Sequence, residues 1–301
     1  MGKSKRNSGP KQGTNRAALL AQREADRRNA AAAPVRPFQG VAAECDLVAL
    51  REFVPSATAP VEVDGRTVTI ATVLPGAVAA LTRDEDGATK GYAALQVQAH
   101  SPNVAADLSS ALRWAAGAEA GESLEAANPD GNTAPIGEVL GSVGELDITV
   151  HQDFNWWIPE SASPAPDVAA TVERANQAIM PSARLEGEGL VAAWWVDAGD
   201  KAHLRWVRPE SEDDLMLALA RLHAAGDLSL GEGSRYAGSF RTHGLLVPVF
   251  DLDPEMHPTE WATPTIEFGA KLSEALADDA PLTSEQRRSR DGLRSRQVTL
   301  R

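Results

Sequence analysis

Cysteine is nearly missing from this chain. Cys45 is the single one in 301 residues, which excludes an internal disulfide and any multi-cysteine zinc site and suits a reducing compartment. Long apolar runs are missing too. No stretch approaches the roughly 20 residues that a bilayer span needs, and the basic N-terminus has no apolar segment behind it to act as a signal. A cytoplasmic protein with no membrane partner is the expectation. Recognisable catalytic strings are also missing. There is no Gly-x-Ser-x-Gly elbow, no His-Glu-x-x-His and no Gly-x-Gly-x-x-Gly, so the sequence assigns no catalytic residue, no metal and no cofactor. Tyrosine is scarce, at two residues, beside seven tryptophans.

What is present is an ordinary globular balance, 43% hydrophobic and 24% charged, with enough chain for a real core. The net charge is −13, but the two ends are basic. Residues 1–30 hold eight Lys/Arg against Glu24 and Asp26, and residues 282–301 hold six Arg against Glu285 and Asp291. The acid is therefore concentrated in the body, which repels phosphates and argues against a nucleic-acid groove there. Contact with RNA or a ribosome is left to the tails.

The organising stretch is residues 189–207, GLVAAWWVDAGDKAHLRWV. Two apolar runs flank a short turn at residues 197–200, the pattern of a β-hairpin. Residues 76–98 resemble it: Gly76, Val78, Ala79, Ala80, Asp84, Gly87, Lys90 and Leu95 match Gly189, Val191, Ala192, Ala193, Asp197, Gly199, Lys201 and Leu204. Each stretch leads into an Ala/Leu-rich helix, at 103–118 and 211–225, and then to a strand, an acidic or aromatic turn and a further helix. The sequence thus predicts an α+β fold with an internally duplicated hairpin-helix-strand-helix unit. Its sheets are antiparallel, helices cover one face, and a pseudo-twofold axis relates the copies. The divisions are 1–33 disordered basic tail, 34–180 first unit, 181–281 second unit and 282–301 basic C-terminal tail.

Local signals support this reading. Asp64-Gly65 between alternating β-branched runs has the composition of a type I′ turn. Residues 46–53 form a short helix with Leu47, Leu50 and Phe53 on one side, stopped by Pro55 and Pro60. Ser211 caps the helix at 211–225. The run from Val191 to Val196 is apolar at every position, so both faces of that strand are expected to be covered, one by the other copy.

The candidate site is a glycine-rich loop, residues 231–244. Its glycines permit close backbone approach, and Arg235, Arg241 and His243 with Ser234 would suit a phosphate or carboxylate. Arginines paired with local acids are the competing explanation. His203, His243 and His257 with Asp251 and Asp253 have no metal-site spacing. Trp156, Trp157, Trp194, Trp195, Trp206 and Trp261 are expected mainly in the core. The minority reading is a cleft between the copies, lined by Trp206, Trp157 and the 231–244 loop.

Several strings resemble a family of unknown function from actinobacteria: Pro37-Phe38-Gln-Gly40, Asp46-Leu-Val-Ala-Leu-Arg-Glu-Phe-Val-Pro55, His203-Leu-Arg-Trp206-Val, Gly231-Glu-Gly-Ser-Arg235, Gly238-Ser-Phe-Arg-Thr-His-Gly244 and Arg296-Gln-Val-Thr-Leu300. The resemblance covers about residues 34–301 and implies no activity. Some members carry an N-terminal cysteine-rich zinc motif, the source of genome labels such as preprotein translocase or topoisomerase. This chain has no such motif, so neither label nor zinc transfers. The reading that results is a cytoplasmic binding or adaptor protein with an unknown protein partner. The alternative is a small-molecule enzyme or ligand-binding protein acting on an anionic ligand at the Arg235–His243 loop.

Overall fold

Two positive-φ residues make the first turn: Asp64 at 50° and Gly65 at 78°. They fold β1 (Ala57–Val63) back on β2 (Arg66–Ala71), as the Asp-Gly pair predicts. The computed structural model describes residues 34–141, 143–159 and 162–299; the expected tail at 1–33 lies outside them. A second hairpin follows, β3 (Ala80–Glu85) and β4 (Ala88–Ala94), turned at Asp86-Gly87. After it come α2 (Val104–Gly117), β5 (Ser123–Leu124), α3 (Ile136–Leu140) and β6 (Thr149–Val150). Asn103 caps α2 by accepting a bond from the Ala106 N–H. The first sheet has the order β5-β3-β4-β2-β1-β6.

The exposed α4 (Pro166–Gln177) leads to the second sheet, β7 (Ser182–Arg184), β8 (Ala193–Asp197), β9 (Ala202–Trp206), β10 (Ser234–Thr242), β11 (Leu245–Leu252) and β12 (Gln297–Thr299). Its order is β12-β10-β11-β9-β8-β7. Helix α5 (Glu212–Ala225) joins β9 to β10. Helices α6 (Ala262–Ala277) and α7 (Ser284–Arg294) follow β11.

The fold is α+β with helices packed on sheets, but two details differ from expectation. Each sheet is mixed: β2 pairs parallel with β4, and β10 with β12. The topology also gives the duplication no support. The matched hairpins sit in different settings: inner strand β4 runs parallel to β2, whereas β9 runs antiparallel to β11.

Helix α1 (Glu44–Glu52) explains why both faces of β8 are apolar. Residues 44–50 are all buried. One cluster joins α1, β1, β2, α2 and α3 to Trp194, Val207, Leu245 and Val247 of the second sheet. Trp195, Leu204, Trp206 and Phe250 point the other way, into a cluster with α5 and α6. Consecutive tryptophans on one strand must face opposite sides, and here each face has its own cover. The core therefore crosses the expected boundary at residue 180.

Close approach fixes at least one glycine. A Cβ on Gly91 of β4 would lie 2.4 Å from the Ala115 carbonyl oxygen, so α2 seats on β4 only because no side chain intervenes.

Residues 282–299 are not a loose tail. Thr283 and Gln286 form a capping box that starts α7. Leu293 is buried, and Ser289 Oγ lies 3.0 Å from His223 Nδ1 of α5. Arg294 reaches Asp213 at 2.9 Å and Gln297 reaches Glu212 at 2.8 Å. Of the arginines in this basic segment, Arg294 binds the acidic first turn of α5, while Arg287 bonds the Leu282 carbonyl and Arg290 pairs with Asp291.

Candidate functional site

The expected 231–244 loop is largely strand. Ser234–Thr242 is β10, with a bulge between Tyr236 and Gly238. Nine residues of strand set its two ends about 25 Å apart, so Arg235 and His243 cannot converge on one ligand. Two of the glycines serve contacts within the protein. A Cβ on Gly238 (φ 150°) would meet the Arg296 carbonyl at 2.7 Å, and one on Gly244 (φ 75°) would meet the Val35 carbonyl at 2.8 Å.

Each candidate residue has a partner in the protein. Ser234 Oγ accepts from the Leu230 N–H and donates to the Gly231 carbonyl, closing a turn. Arg235 is exposed and donates to Asp251 at 2.8 Å, beside Lys201 at 2.6 Å and His203 at 3.3 Å. Burial would raise the Asp251 carboxyl, but the bonds from Lys201 and Arg235 outweigh it and hold it below the usual range. Burial pushes the His203 imidazole down, against the pull of Asp251. Arg241 pairs with Glu212. His243 sits at φ 45° in the β10–β11 turn, with Nε2 2.8 Å from Glu52 Oε1 of α1 and its ring edge-on to Phe38. Trp206 is fully buried, and its indole donates to the Val191 carbonyl at 2.9 Å. The arginine-with-local-acid explanation fits Arg235 and Arg241.

Trp206, Trp157 and the 231–244 segment do not form the cleft expected of them. Trp157 belongs to a turn on the first sheet, with its indole donating to the Val73 carbonyl at 3.1 Å. Among the described residues, no group of three or more His, Cys, Asp or Glu is placed to hold a metal. Cys45 is buried, and burial pushes its thiol up to about 12, which disfavours the thiolate that a nucleophile needs.

A different concavity has the features of a site. A groove of about 740 Å³ runs along residues 181–186, that is, along β7 and its flanks. Trp195 of β8, Gln152 just past β6, His257, Thr259 and Ala262 also line it. It lies where the two sheets meet, since β6 comes close to β7. Trp195 is 92% buried, and its indole N–H has no partner among the described residues. The indole nitrogens of Trp194 and Trp261 also lack partners among the described residues; all three nitrogens are shut off from solvent, and of the three rings only Trp195 borders the groove. Arg184, also in the lining, reaches both oxygens of the buried Asp46 carboxylate at 3.1 and 3.0 Å. Thr259 is tied back through its N–H and hydroxyl to His257 Nδ1.

A second concavity, about 570 Å³, lies between α4 and Trp157. Its tryptophan N–H is already satisfied and its helix is almost wholly exposed. The β7 groove is the better candidate. Sequence reasoning missed it because its wall comes from four separated segments. The one local signal was the Trp194-Trp195 pair, which forces one ring onto each face of the strand.

The family model described as "Family of unknown function (DUF5926)" matches residues 37–301 of the chain. No curated protein and no solved structure matches it.

Proposed function

For a chain that belongs to this family of unknown function, we propose a binding or adaptor role in the cytoplasm, with the β7 groove as its site. The observation that carries the proposal is the 740 Å³ groove itself, walled by the Trp195 ring and by β7 at the place where the two sheets meet. Concave walls with a few fixed polar groups are the usual form of a ligand site. Support comes also from Arg184, which the Asp46 carboxylate holds in place beside the groove. The geometry does not favour an enzyme at Arg235, Arg241 and His243, because those residues are dispersed along β10 and engaged with carboxylates.

The test is differential capture from native lysate. Wild-type protein is compared with Ala183→Trp and Thr259→Trp, two substitutions that fill the groove. Their melting curves should match wild type, because both side chains are at least partly exposed. The proposal expects a defined partner held by wild type and lost with both variants. Identical capture by all three proteins would refute it.

A further inference from the structure

On the face of the second sheet opposite the Trp195 ring, and independent of the groove, we propose a second site, one that takes a phosphate group at Arg205. Strand β9 pairs Arg205 with Trp194 of β8 and Val249 of β11, so its side chain stands on the face that packs against α1. Helix α1 stops at Glu52. Phe53, the next residue, has its ring centroid 5.5 Å from the Arg205 guanidinium carbon, and Phe240 meets Phe53 edge-on. Beyond Phe53 the face is no longer sealed: Val249, His203 and Asp251 are half-buried, and Lys201 and Arg235 are exposed. Arg205 is an exception among the arginines. Every other half-buried arginine among the described residues has a carboxylate oxygen within 3.8 Å, Arg184, Arg208 and Arg241 included. Among the same residues Arg205 has neither a carboxylate nor a hydrogen bond, and burial pushes its guanidinium down with no acid to offset it. Its nitrogens are nonetheless not among the unpartnered ones shut off from solvent, so a ligand can reach them.

A charge withdrawn from water normally has a partner. The groups around Arg205 show what kind of partner fits. Lys201 and Arg235 both bond one Asp251 oxygen, at 2.6 and 2.8 Å, and His203 Nδ1 lies 3.3 Å from the other. His203 Nε2 is left open to solvent. Arg205 and His203 alternate along β9, so they stand about 7 Å apart on one face. Burial lowers the His203 imidazole, Asp251 pulls it up, and the charges of Arg205 and Lys201 push it down again. Three permanent cations, Lys201, Arg205 and Arg235, thus surround one carboxylate, on a chain whose net charge is −13. Asp251 orders Lys201 and Arg235 but forms no ion pair with Arg205. A phosphate group has enough oxygens to meet these donors together. The Arg205 fork takes two, and His203 Nε2 or the Lys201 ammonium takes a third. The half-buried Phe240 beside Phe53 gives the apolar part of a phosphate ester a surface to lie on.

The test titrates inorganic phosphate, and in parallel phenyl phosphate, into the full chain in phosphate-free buffer, with sodium chloride at matched ionic strength as the reference. The readouts are the His203 ring and Arg205 Nε–H signals and the melting temperature. Saturable shifts at both residues are expected, with a melting temperature raised by phosphate and not by chloride. Arg205→Gln should weaken binding at least about tenfold and Lys201→Gln about threefold. Lys271→Gln, the same loss of charge on α6, should leave binding unchanged. Without phosphate, Arg205→Gln should melt no lower than wild type, because it removes a half-buried charge that has no partner. Tighter binding of phenyl phosphate would support an ester as the ligand, and equal binding would support free phosphate. An Arg205→Gln protein melting well below wild type would show Arg205 engaged within the fold and overturn the proposal. Shifts that chloride reproduces, or that survive in Arg205→Gln, would overturn it too.

Discussion

Arg184 Nη2 lies 3.0 Å from Asp46 Oδ2, and the carboxylate it holds is 1% exposed. The pair ties the edge strand β7 to the buried helix α1. Burial raises the Asp46 carboxyl to about 6 in spite of Arg184. The folded protein therefore keeps a proton that the unfolded chain releases between about pH 4 and pH 6, and stability falls as pH rises through that window. Asp46→Asn removes this penalty. Its stability relative to wild type should improve by roughly 2–3 kcal/mol from pH 4 to pH 7.5 in urea melts. Wild type gaining on the variant over that range would contradict the assignment. Arg184→Met, which strands the carboxylate, should cost about 3–5 kcal/mol at neutral pH and less at pH 5.

His243 bonds Glu52 across 191 residues of sequence and closes the β10–β11 turn against α1. Burial would raise the Glu52 carboxyl, but the bond and charge of His243, with Arg51, bring it below the usual range. That contribution is present above about pH 4 and is lost as pH falls through the lowered value. His243→Ala should therefore destabilise by about 1–2 kcal/mol at pH 7 and much less near pH 3. Gly244→Ala should cost more, about 2–3 kcal/mol, because the new Cβ meets backbone at residues 35–36 in a positive-φ position.

Gly91→Ala should destabilise by at least about 2 kcal/mol, since the methyl group would push α2 off β4 at Ala115. Chemical denaturation reads this directly. An unchanged midpoint would mean that the helix does not seat as described.

Truncation at residue 281 should lower the melting temperature and promote association. It removes the cover from α5 and unpairs residues 239–241 of the edge strand β10. In the intact chain, amides within residues 287–294 should exchange far more slowly than random coil. Random-coil exchange there would refute the docking of α7.

Much of the fold was legible because its signals are local. Asp64-Gly65, the Ser211 cap and the apolar stripe of α5 each need only a few neighbouring residues to be read. The parallel pairing of β2 with β4 was not legible, since register between distant strands is decided by packing. The segment at 231–244 was misread because bulge and close-approach glycines have the composition of a ligand loop. The basic segment 282–301 was read as a tail able to dock back on the acidic body; that it docks as a helix was signalled by the Thr283–Gln286 capping box and Leu293. The apolar run from Val191 to Val196 announced a strand covered on both faces, which holds for β8. Only the assembled sheet shows that the Trp195 ring borders a groove.

The most direct measurement follows the indole signals of Trp194 and Trp195 while the partner captured from lysate is added, because of these two adjacent rings only Trp195 borders the groove. A shift of Trp195 alone, saturating with partner and absent in Thr259→Trp, is the predicted result. An unmoved Trp195, or both signals shifting together, would contradict the assignment of the groove as the binding site.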